Sequence, residues 1–277
     1  MSEWEWPEVT AAFNVIKATL QYPVDEGELG SKAARLADDI AFICKTAADP
    51  FYSNAAWVIW ESILQIVYCI PPGHSWQECL VQAVANLSCR EEPLSSKFKH
   101  SEAFMWKRLP DLNRTLLERW NPPQYDGRDF AEELERYTNV NSSFARFTGA
   151  SGRIRFLPLP IAQLRIAHEE ASENKDNSVV EYQLWVATEW IIYRGGQLLE
   201  EFIDWEGNGQ ELDDEEETGI YGRGPLAAGM RSLSINRWIS WKRRLTEIAA
   251  SGGGQAGKCY SQPNLARTGQ DGGRGGR

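Results

Sequence analysis

Residues 51–70 read FYSNAAWVIWESILQIVYCI, and this stretch decides the class of fold. Its apolar side chains, Trp57 and Trp60 among them, would point to nearly every side of a helix. A helix that is apolar all round is either buried in a protein core or spans a membrane. Glu61 interrupts the run, and its most apolar part, residues 55–70, is shorter than the ~20 residues that a bilayer requires. The stretch therefore predicts the central helix of a bundle.

Helical periodicity continues on both sides of this stretch. Apolar residues recur every three or four positions, which predicts amphipathic helices separated by proline and glycine turns. The pair Gly195-Gly196 predicts a kink or a close approach of another backbone. The predicted helices cover residues 7–20, 31–47, 51–70, 74–89, 111–120, 126–147, 161–171, 179–203 and 234–250.

A strand-like alternation occurs only weakly, at residues 153–157. The sequence therefore predicts an all-α fold, a single multi-helix bundle that forms one domain over residues 1–250. The Gly- and Arg-rich residues 251–277 have no apolar period and predict a disordered basic tail.

Composition limits the class of function. The chain has 277 residues and a net charge of −10, which argues against DNA as a partner. The five cysteines have no CxxC spacing and the three histidines stand alone, so we expect buried, reduced thiols and no metal site. A secretory signal is absent from the acidic, aromatic start, and we expect a cytoplasmic protein without a membrane partner.

Common catalytic motifs are missing from the sequence. It has no GxxxxGK[ST] and no GxSxG, and its GxGxxG string at residues 252–257 lies in the Gly-rich tail with no predicted strand before it, which argues against the simple assignments to nucleotide-binding and hydrolase folds. Candidate sites must therefore come from polar residues in or beside the helices.

The acidic segment 213–217, DDEEE, is the first candidate. Carboxylates held close together can bind a cation or a guanidinium, and their crowding raises the pKa of one or more of them. Asp213, Asp214 and Glu217 are therefore candidate catalytic residues. The alternative is a solvated acidic loop, because like charges at this density repel one another.

Polar residues inside apolar helices give a second set of candidates. Glu61 lies among tryptophans, and it either lines a pocket within the bundle or pairs with an arginine of another helix. Asn141 and Arg146 could bond a ligand carboxylate or carbonyl, or could brace neighbouring helices. We therefore take Glu61, Asn141 and Arg146 as candidate substrate-binding residues.

The last predicted helix is amphipathic. We expect Ile235, Trp238, Ile239 and Leu245 to face inward and a basic set to face outward, with Trp238 and Trp241 interleaved among the cations. Basic side chains interleaved with tryptophans are typical of proteins that contact the RNA backbone and stack on its bases. The alternative is that the basic residues form a solvated helix face. The candidate RNA-binding residues are Arg237, Lys242, Arg243 and Arg244.

Six short phrases occur together along residues 51–245. In this order they resemble a fungal family of uncharacterised helical proteins, the oxopyrrolidine-biosynthesis-protein-like family. The phrases are Trp57-x-x-Trp60-Glu61, Leu109-Pro110-x-Leu112, Asn141-x-x-Phe144-Ala145-Arg146, Gly195-Gly196 after a Trp-rich helix, Gly224-Pro225-Leu226 and Arg237-Trp238-x-x-Trp241-Lys242.

One branch of this family is known as arginine-containing cyclodipeptide synthases and carries a DDxxE signature, which Asp213-Asp214-Glu215-Glu216-Glu217 fits. The resemblance implies condensation of arginyl-tRNA with a second aminoacyl-tRNA into a diketopiperazine in fungal secondary metabolism. Aminoacyl esters are already activated, so no cofactor and no ATP site are expected. In this reading the carboxylates hold the substrate guanidinium and the C-terminal basic residues contact tRNA phosphates.

Two other functions stay open. The chain could be a non-catalytic helical accessory protein of a biosynthetic gene cluster, since aromatic richness and missing motifs suit that equally well. It could also be a small-molecule enzyme with Glu61 or Arg146 in a pocket between the central helices. The sequence specifies neither the second amino acid nor the oligomeric state.

Overall fold

A computed structural model describes residues 7–22, 28–46, 55–95, 101–120, 130–151, 158–170, 177–209, 212–213, 219 and 221–250. Within these residues the chain forms helices in the order that the sequence predicts. They are α1 (Pro7–Gln21), α2 (Leu29–Thr46), α3 (Ala55–Val67), α4 (Ser75–Ser88), α5 (Leu112–Arg119), α6 (Phe130–Ser151), α7 (Pro158–His168), α8 (Asn177–Gly207) and α9 (Ile235–Ala250).

The all-α prediction is confirmed for the described residues. Short 3-10 helices occupy Glu102–Phe104, Trp106–Arg108 and Pro225–Ala227. The β-pairing in the described part of the chain is one isolated bridge between Pro93 and Met105. The predicted weak strand at 153–157 and the tail at 251–277 lie outside the described residues.

The chain divides into two compact units. Unit 1 comprises residues 1–163 and 186–201, and unit 2 comprises residues 164–185 and 202–277. The long helix α8 therefore contributes its middle to unit 1 and both of its ends to unit 2. The prediction of one domain over residues 1–250 stays a prediction.

Unit 1 is built around α3, as its apolar sequence predicts. Helix α1 packs on α3, α2 packs on α4, and α4 packs on α6. Trp60 is 1% exposed, and its indole Nε1 donates to the Pro110 carbonyl oxygen at 2.6 Å. Burial of a tryptophan with its N–H satisfied removes a large apolar surface from water at no polar cost. Described core residues include Ile16, Leu36, Ile59, Ile63, Leu80 and Phe144.

Unit 2 has a smaller core with an aromatic centre. Phe202 packs edge-on against Trp238 with ring centroids 6.3 Å apart, and Trp241 lies 6.0 Å from Phe202. Edge-to-face pairs of this kind stabilise a core beyond their buried area.

The helical glycines of unit 1 differ in their surroundings. Helix α8 runs through Gly195 and Gly196 without a break, and a Cβ on Gly196 would meet nothing within 4 Å. A close backbone approach lies at Gly149, which belongs to α6. A Cβ on Gly149 would overlap the carbonyl oxygen of Tyr193 in α8. Gly149 thus brings α6 and α8 together in unit 1.

In the described part of the chain, no helix combines the length and the apolarity that crossing a membrane requires.

Candidate functional site

Six polar residues meet between α4, α6 and α8 in unit 1, and we call them the polar cluster. Helix α4 supplies two residues from its first turn, and α6 and α8 each supply a pair spaced four apart. Residues four apart lie on one helix face, so each pair points the same way. The members are Gln77, Glu78, Ser142, Arg146, Glu189 and Tyr193.

Glu189 is the carboxylate at the centre of this cluster. The hydroxyl of Ser142 donates to its Oε2 at 2.6 Å, and Ser142 also lies 3.5 Å from Oε1 of Gln77. Burial raises the pKa of Glu189, and the Ser142 hydrogen bond and the Arg146 charge partly offset that rise. A carboxylate with a raised pKa is a stronger base than an ordinary glutamate.

Arg146 and Tyr193 form the outer part of the cluster. The guanidinium of Arg146 lies over the Tyr193 ring, 4.4 Å from its centroid, and 3.8 Å from the Glu78 carboxylate. Its buried Nε has no hydrogen-bond partner among the described residues. Burial raises the pKa of the Tyr193 phenol, which keeps the phenol protonated at neutral pH, and the residue is 36% exposed. The cluster thus offers a base beside two hydrogen-bond donors.

Asn141 and Glu61 have structural partners inside unit 1. Asn141 is 0% exposed, and its Oδ1 accepts from the Trp190 indole at 3.1 Å. Glu61 pairs with Arg119 of α5 through Nε and Oε1 at 2.9 Å. For Glu61 this is the pairing with an arginine of another helix that the sequence left open. Neither residue belongs to the polar cluster, whereas the predicted candidate Arg146 does.

The acidic segment is described only at its start. Asp213 is exposed. Asp214 and Glu217 lie outside the described residues, so the catalytic role of the segment stays a prediction. Among the described residues no group of three or more His, Cys, Asp or Glu side chains could hold a metal ion.

The basic set on α9 is split by burial. Lys242, Arg243 and Arg244 have exposed or half-exposed side chains, and the two arginines lie 3.7 Å and 3.6 Å from Glu247. Such surface pairs contribute little energy and leave the cations open to solvent. The predicted outward position of Arg237 is wrong, because Arg237 is 0% exposed.

Burial also removes the predicted stacking surface. Trp238 is 8% exposed and Trp241 is 1% exposed, so neither ring is open to a nucleobase. Ile239, predicted to face inward, is 55% exposed. These differences share one cause, which is that the buried face of α9 centres on Arg237, Trp238 and Trp241 rather than on the isoleucine.

Arg237 is buried because unit 2 contains a matching carboxylate. Glu169 accepts from Nε of Arg237 at 2.6 Å, from the Trp241 indole at 2.7 Å and from the Gly224 backbone N–H at 2.6 Å. The Arg237 guanidinium also donates to the carbonyl oxygens of Tyr221, Gly222 and Ser232. Because the N–H groups of the Arg237 guanidinium and both oxygens of the Glu169 carboxylate are paired, this constellation holds the 221–234 segment in place.

Cysteine placement differs in part from the prediction. Cys44 and Cys79 are buried, and burial raises their pKa values to about 12 and about 11, which leaves them as inert thiols. Cys69 and Cys89 are exposed, contrary to the expectation of buried thiols, and none of the four forms a disulfide within the described residues. Cys259 lies outside the described residues.

The sequence analysis missed Ser142, Glu189 and Tyr193. The sequence signal for Glu189 and Tyr193 was a carboxylate four residues before a tyrosine in an apolar helix. Nothing more was visible, because the partners of these two residues lie on α6 and α4. Glu169 was missed for the same reason, since its partner Arg237 is 68 residues away.

The fold and the polar cluster define a helical protein with an internal carboxylate–hydroxyl pair beside an arginine and a tyrosine. The chain belongs to the family described as "Protein of unknown function (DUF3632)", whose family model matches residues 60–245. Searches of curated proteins and of solved structures found no match.

Proposed function

We propose that this chain is an arginine-containing cyclodipeptide synthase of fungal secondary metabolism. It would condense arginyl-tRNA with a second aminoacyl-tRNA into a cyclo(Arg-Xaa) diketopiperazine in the cytoplasm. The observation that carries the proposal is Glu189, a half-buried carboxylate with a raised pKa beside Ser142, Arg146 and Tyr193.

The proposed chemistry consists of two acyl transfers. The α-amine of one aminoacyl ester attacks the carbonyl carbon of the other, a C–N bond forms, and the tRNA 3′-hydroxyl leaves with a proton. The second amine then attacks the remaining ester in the same way and closes the ring. Each attack needs a base for the amine proton and a donor for the developing oxyanion.

The polar cluster contains groups suited to both needs. Glu189 would accept the amine proton, since its raised pKa brings its basicity closer to neutral pH. Tyr193 and Arg146 would donate to the oxyanion through their O–H and N–H groups, since the guanidinium carbon of Arg146 lies 4.4 Å from the centroid of the Tyr193 ring. Tyr193 is also partly exposed, which supports access by a substrate.

Two further features support the two parts of the proposed substrate, the tRNA and the arginine side chain. Lys242, Arg243 and Arg244 present cations on α9, and phosphate groups are bound by such side chains. The acidic segment from Asp213 to Glu217 would hold the arginine guanidinium, as the resemblance implies.

The test is expression of the chain in a bacterial host, followed by mass spectrometry for cyclo(Arg-Xaa) products. Glu189→Gln keeps the shape of the side chain and removes the base, and we expect product to fall by about 10²–10⁴-fold. The matched control is Glu200→Gln, an exposed glutamate three turns along the same helix, which should leave the yield unchanged. A folded wild-type protein that yields no new diketopiperazine would overturn the proposal.

The alternative is a non-catalytic accessory protein, and one observation favours it. Ser142 and Asn141 are 0% exposed and hydrogen-bonded within unit 1, as in a purely structural network. Purification that recovers a stoichiometric protein partner and no bound tRNA, together with no product, would favour this alternative.

A further inference from the structure

A groove in unit 1 lies apart from the polar cluster. It has a cavity volume of about 230 Å³ and is formed by α1, the C-terminal end of α3 with the turn that follows, and the start of α4. Phe13, Ile66, Ile70, Pro71 and Trp76 give it apolar walls, and the remaining lining residues are Lys17, Gln65, Cys69 and His74.

The charge of this groove differs from that of the whole chain. The sequence has 39 acidic and 29 basic residues, yet the groove is lined by a lysine and by no carboxylate from the part of the chain that the structure describes. Lys17 is exposed, and its Nζ lies 5.6 Å from the centroid of the Phe13 ring. Among the described residues no carboxylate forms an ion pair with Lys17. The ammonium is therefore open to an anion from outside.

His74 adds a second donor to the groove. Its Nδ1 accepts from the backbone N–H of Trp76 at 3.2 Å, so the proton of a neutral ring lies on Nε2 and can be donated. The imidazole also packs edge-on against the Trp76 indole, with centroids 5.4 Å apart, which fixes its orientation. The orientation and the tautomer of His74 therefore favour a ligand that accepts a hydrogen bond over a ligand that is a cation.

The volume of the groove suits a single-ring molecule. Pockets for drug-sized ligands span about 300–1,000 Å³, which exceeds the volume here. An apolar cavity of about 150 Å³ holds a benzene ring, so 230 Å³ leaves room for a ring and a short acid chain.

We propose that this groove binds a small apolar monocarboxylate, with its ring or branched body against Phe13, Ile66 and Trp76 and its carboxylate at Lys17. Apolar walls supply affinity and the ammonium supplies selectivity for the anion. This site is independent of the proposed synthase activity, because none of its lining residues belongs to the polar cluster.

Cys69 provides the readout, because its exposed thiol lines the groove while Cys44 and Cys79 are buried. In a chain carrying Cys89→Ser and Cys259→Ser, alkylation of Cys69 by neutral iodoacetamide is followed by mass spectrometry. Phenylacetate is the probe, and at about ten times its Kd mass action should slow the alkylation about tenfold. Phenylacetamide and phenethylamine have the same ring without the carboxylate and should protect far less.

The variant pair is Lys17→Gln against Lys45→Gln. Both lysines are exposed and helical, but only Lys17 lines the groove, so K17Q should lose the protection by phenylacetate and K45Q should keep it. Isothermal titration of the unmodified protein with phenylacetate gives a second measurement.

Four outcomes would overturn the proposal. Equal protection by phenylacetate, phenylacetamide and phenethylamine would show that the groove does not select an anion. No protection by any of the three would show that the groove does not bind such ligands. Alkylation that slows as the protein concentration rises would mean that a second copy covers the groove. A Cys69 thiol that resists alkylation without any ligand in the folded chain would mean that the chain's own residues fill it.

Discussion

Arg237 and Glu169 form a buried, two-point ion pair in unit 2, with Nε–Oε1 at 2.6 Å and Nη2–Oε2 at 3.1 Å. They are 0% and 2% exposed. Burying two paired charges costs free energy because both lose their hydration. Removing one partner destabilises the protein much more, because the remaining buried charge is uncompensated. The ion pair with Glu169 therefore allows Arg237 to be buried, and Arg237 in turn holds the 221–234 segment that leads into α9.

Breaking this pair should therefore destabilise unit 2. Glu169→Gln replaces one acceptor oxygen with a donor that faces Arg237 and either the Trp241 indole or the Gly224 N–H, and we expect a loss of about 3–5 kcal/mol in the free energy of unfolding. Urea unfolding measures it. The control, Arg243→Gln, alters an arginine whose side chain is 71% exposed and should change the stability by less than about 0.5 kcal/mol. An E169Q protein as stable as the control would contradict the anchoring role.

The fold was predictable from the sequence wherever local periodicity decides it. The all-apolar stretch around Trp60 predicts the centre of the bundle, and the structure has α3 buried there. The predicted helix order also holds throughout the described residues. Helix ends were harder, as in α2, which the sequence predicts to begin at residue 31 and which begins at Leu29.

The candidate site was not predictable, since it depends on partners that are distant in sequence. Hydrophobic periodicity placed Arg237 outward because arginine is usually solvated, and only Glu169 makes its burial possible. The pair of Ser142 and Glu189 joins residues 47 apart. The sequence indicated Arg146 because it is a polar residue in a predicted helix that could bond a ligand carboxylate or carbonyl, but it gave no such signal for its neighbour Tyr193.

Two helical glycines in unit 1 should respond to alanine in opposite directions. Gly149→Ala would force a Cβ against the Tyr193 carbonyl, and overpacking of this kind costs about 1–3 kcal/mol. Gly196→Ala adds a Cβ into open space within α8 and should stabilise the protein by about 0.5–1 kcal/mol. Urea unfolding of both variants against wild type measures the two changes. Equal effects of the two substitutions would contradict the close approach at Gly149.

His168 should make unit 2 sensitive to acid. It is 3% exposed, and neither ring nitrogen has a hydrogen-bond partner among the described residues. Burial first, and then the charge of Arg244, lowers its pKa from 6.5 to about 4. The unfolded chain therefore binds more protons between these values, and stability falls as the pH drops from about 6.5 towards 4.

The measurement compares wild type with His168→Leu by urea unfolding at about pH 7 and about pH 4.5. Leucine does not titrate, so the stability of wild type relative to the variant should fall by roughly 2–3 kcal/mol on acidification. A difference that stays constant between the two pH values would mean that His168 is already accessible to protons in the folded state.

The pH profile of the proposed synthase tests whether Glu189 is its base. Because the Ser142 hydrogen bond lowers the pKa of this carboxyl, Ser142→Ala should raise it further. A base must be deprotonated to act, so the acid limb of the rate profile should move to higher pH in S142A. Arg146→Gln should move it in the same direction, since the guanidinium charge also lowers that pKa.

Thr138→Ala, one turn earlier on α6, removes a hydroxyl bonded to the Leu134 carbonyl and should leave the limb in place. Equal profiles for S142A and T138A, with both proteins folded and active, would mean that a different group accepts the proton.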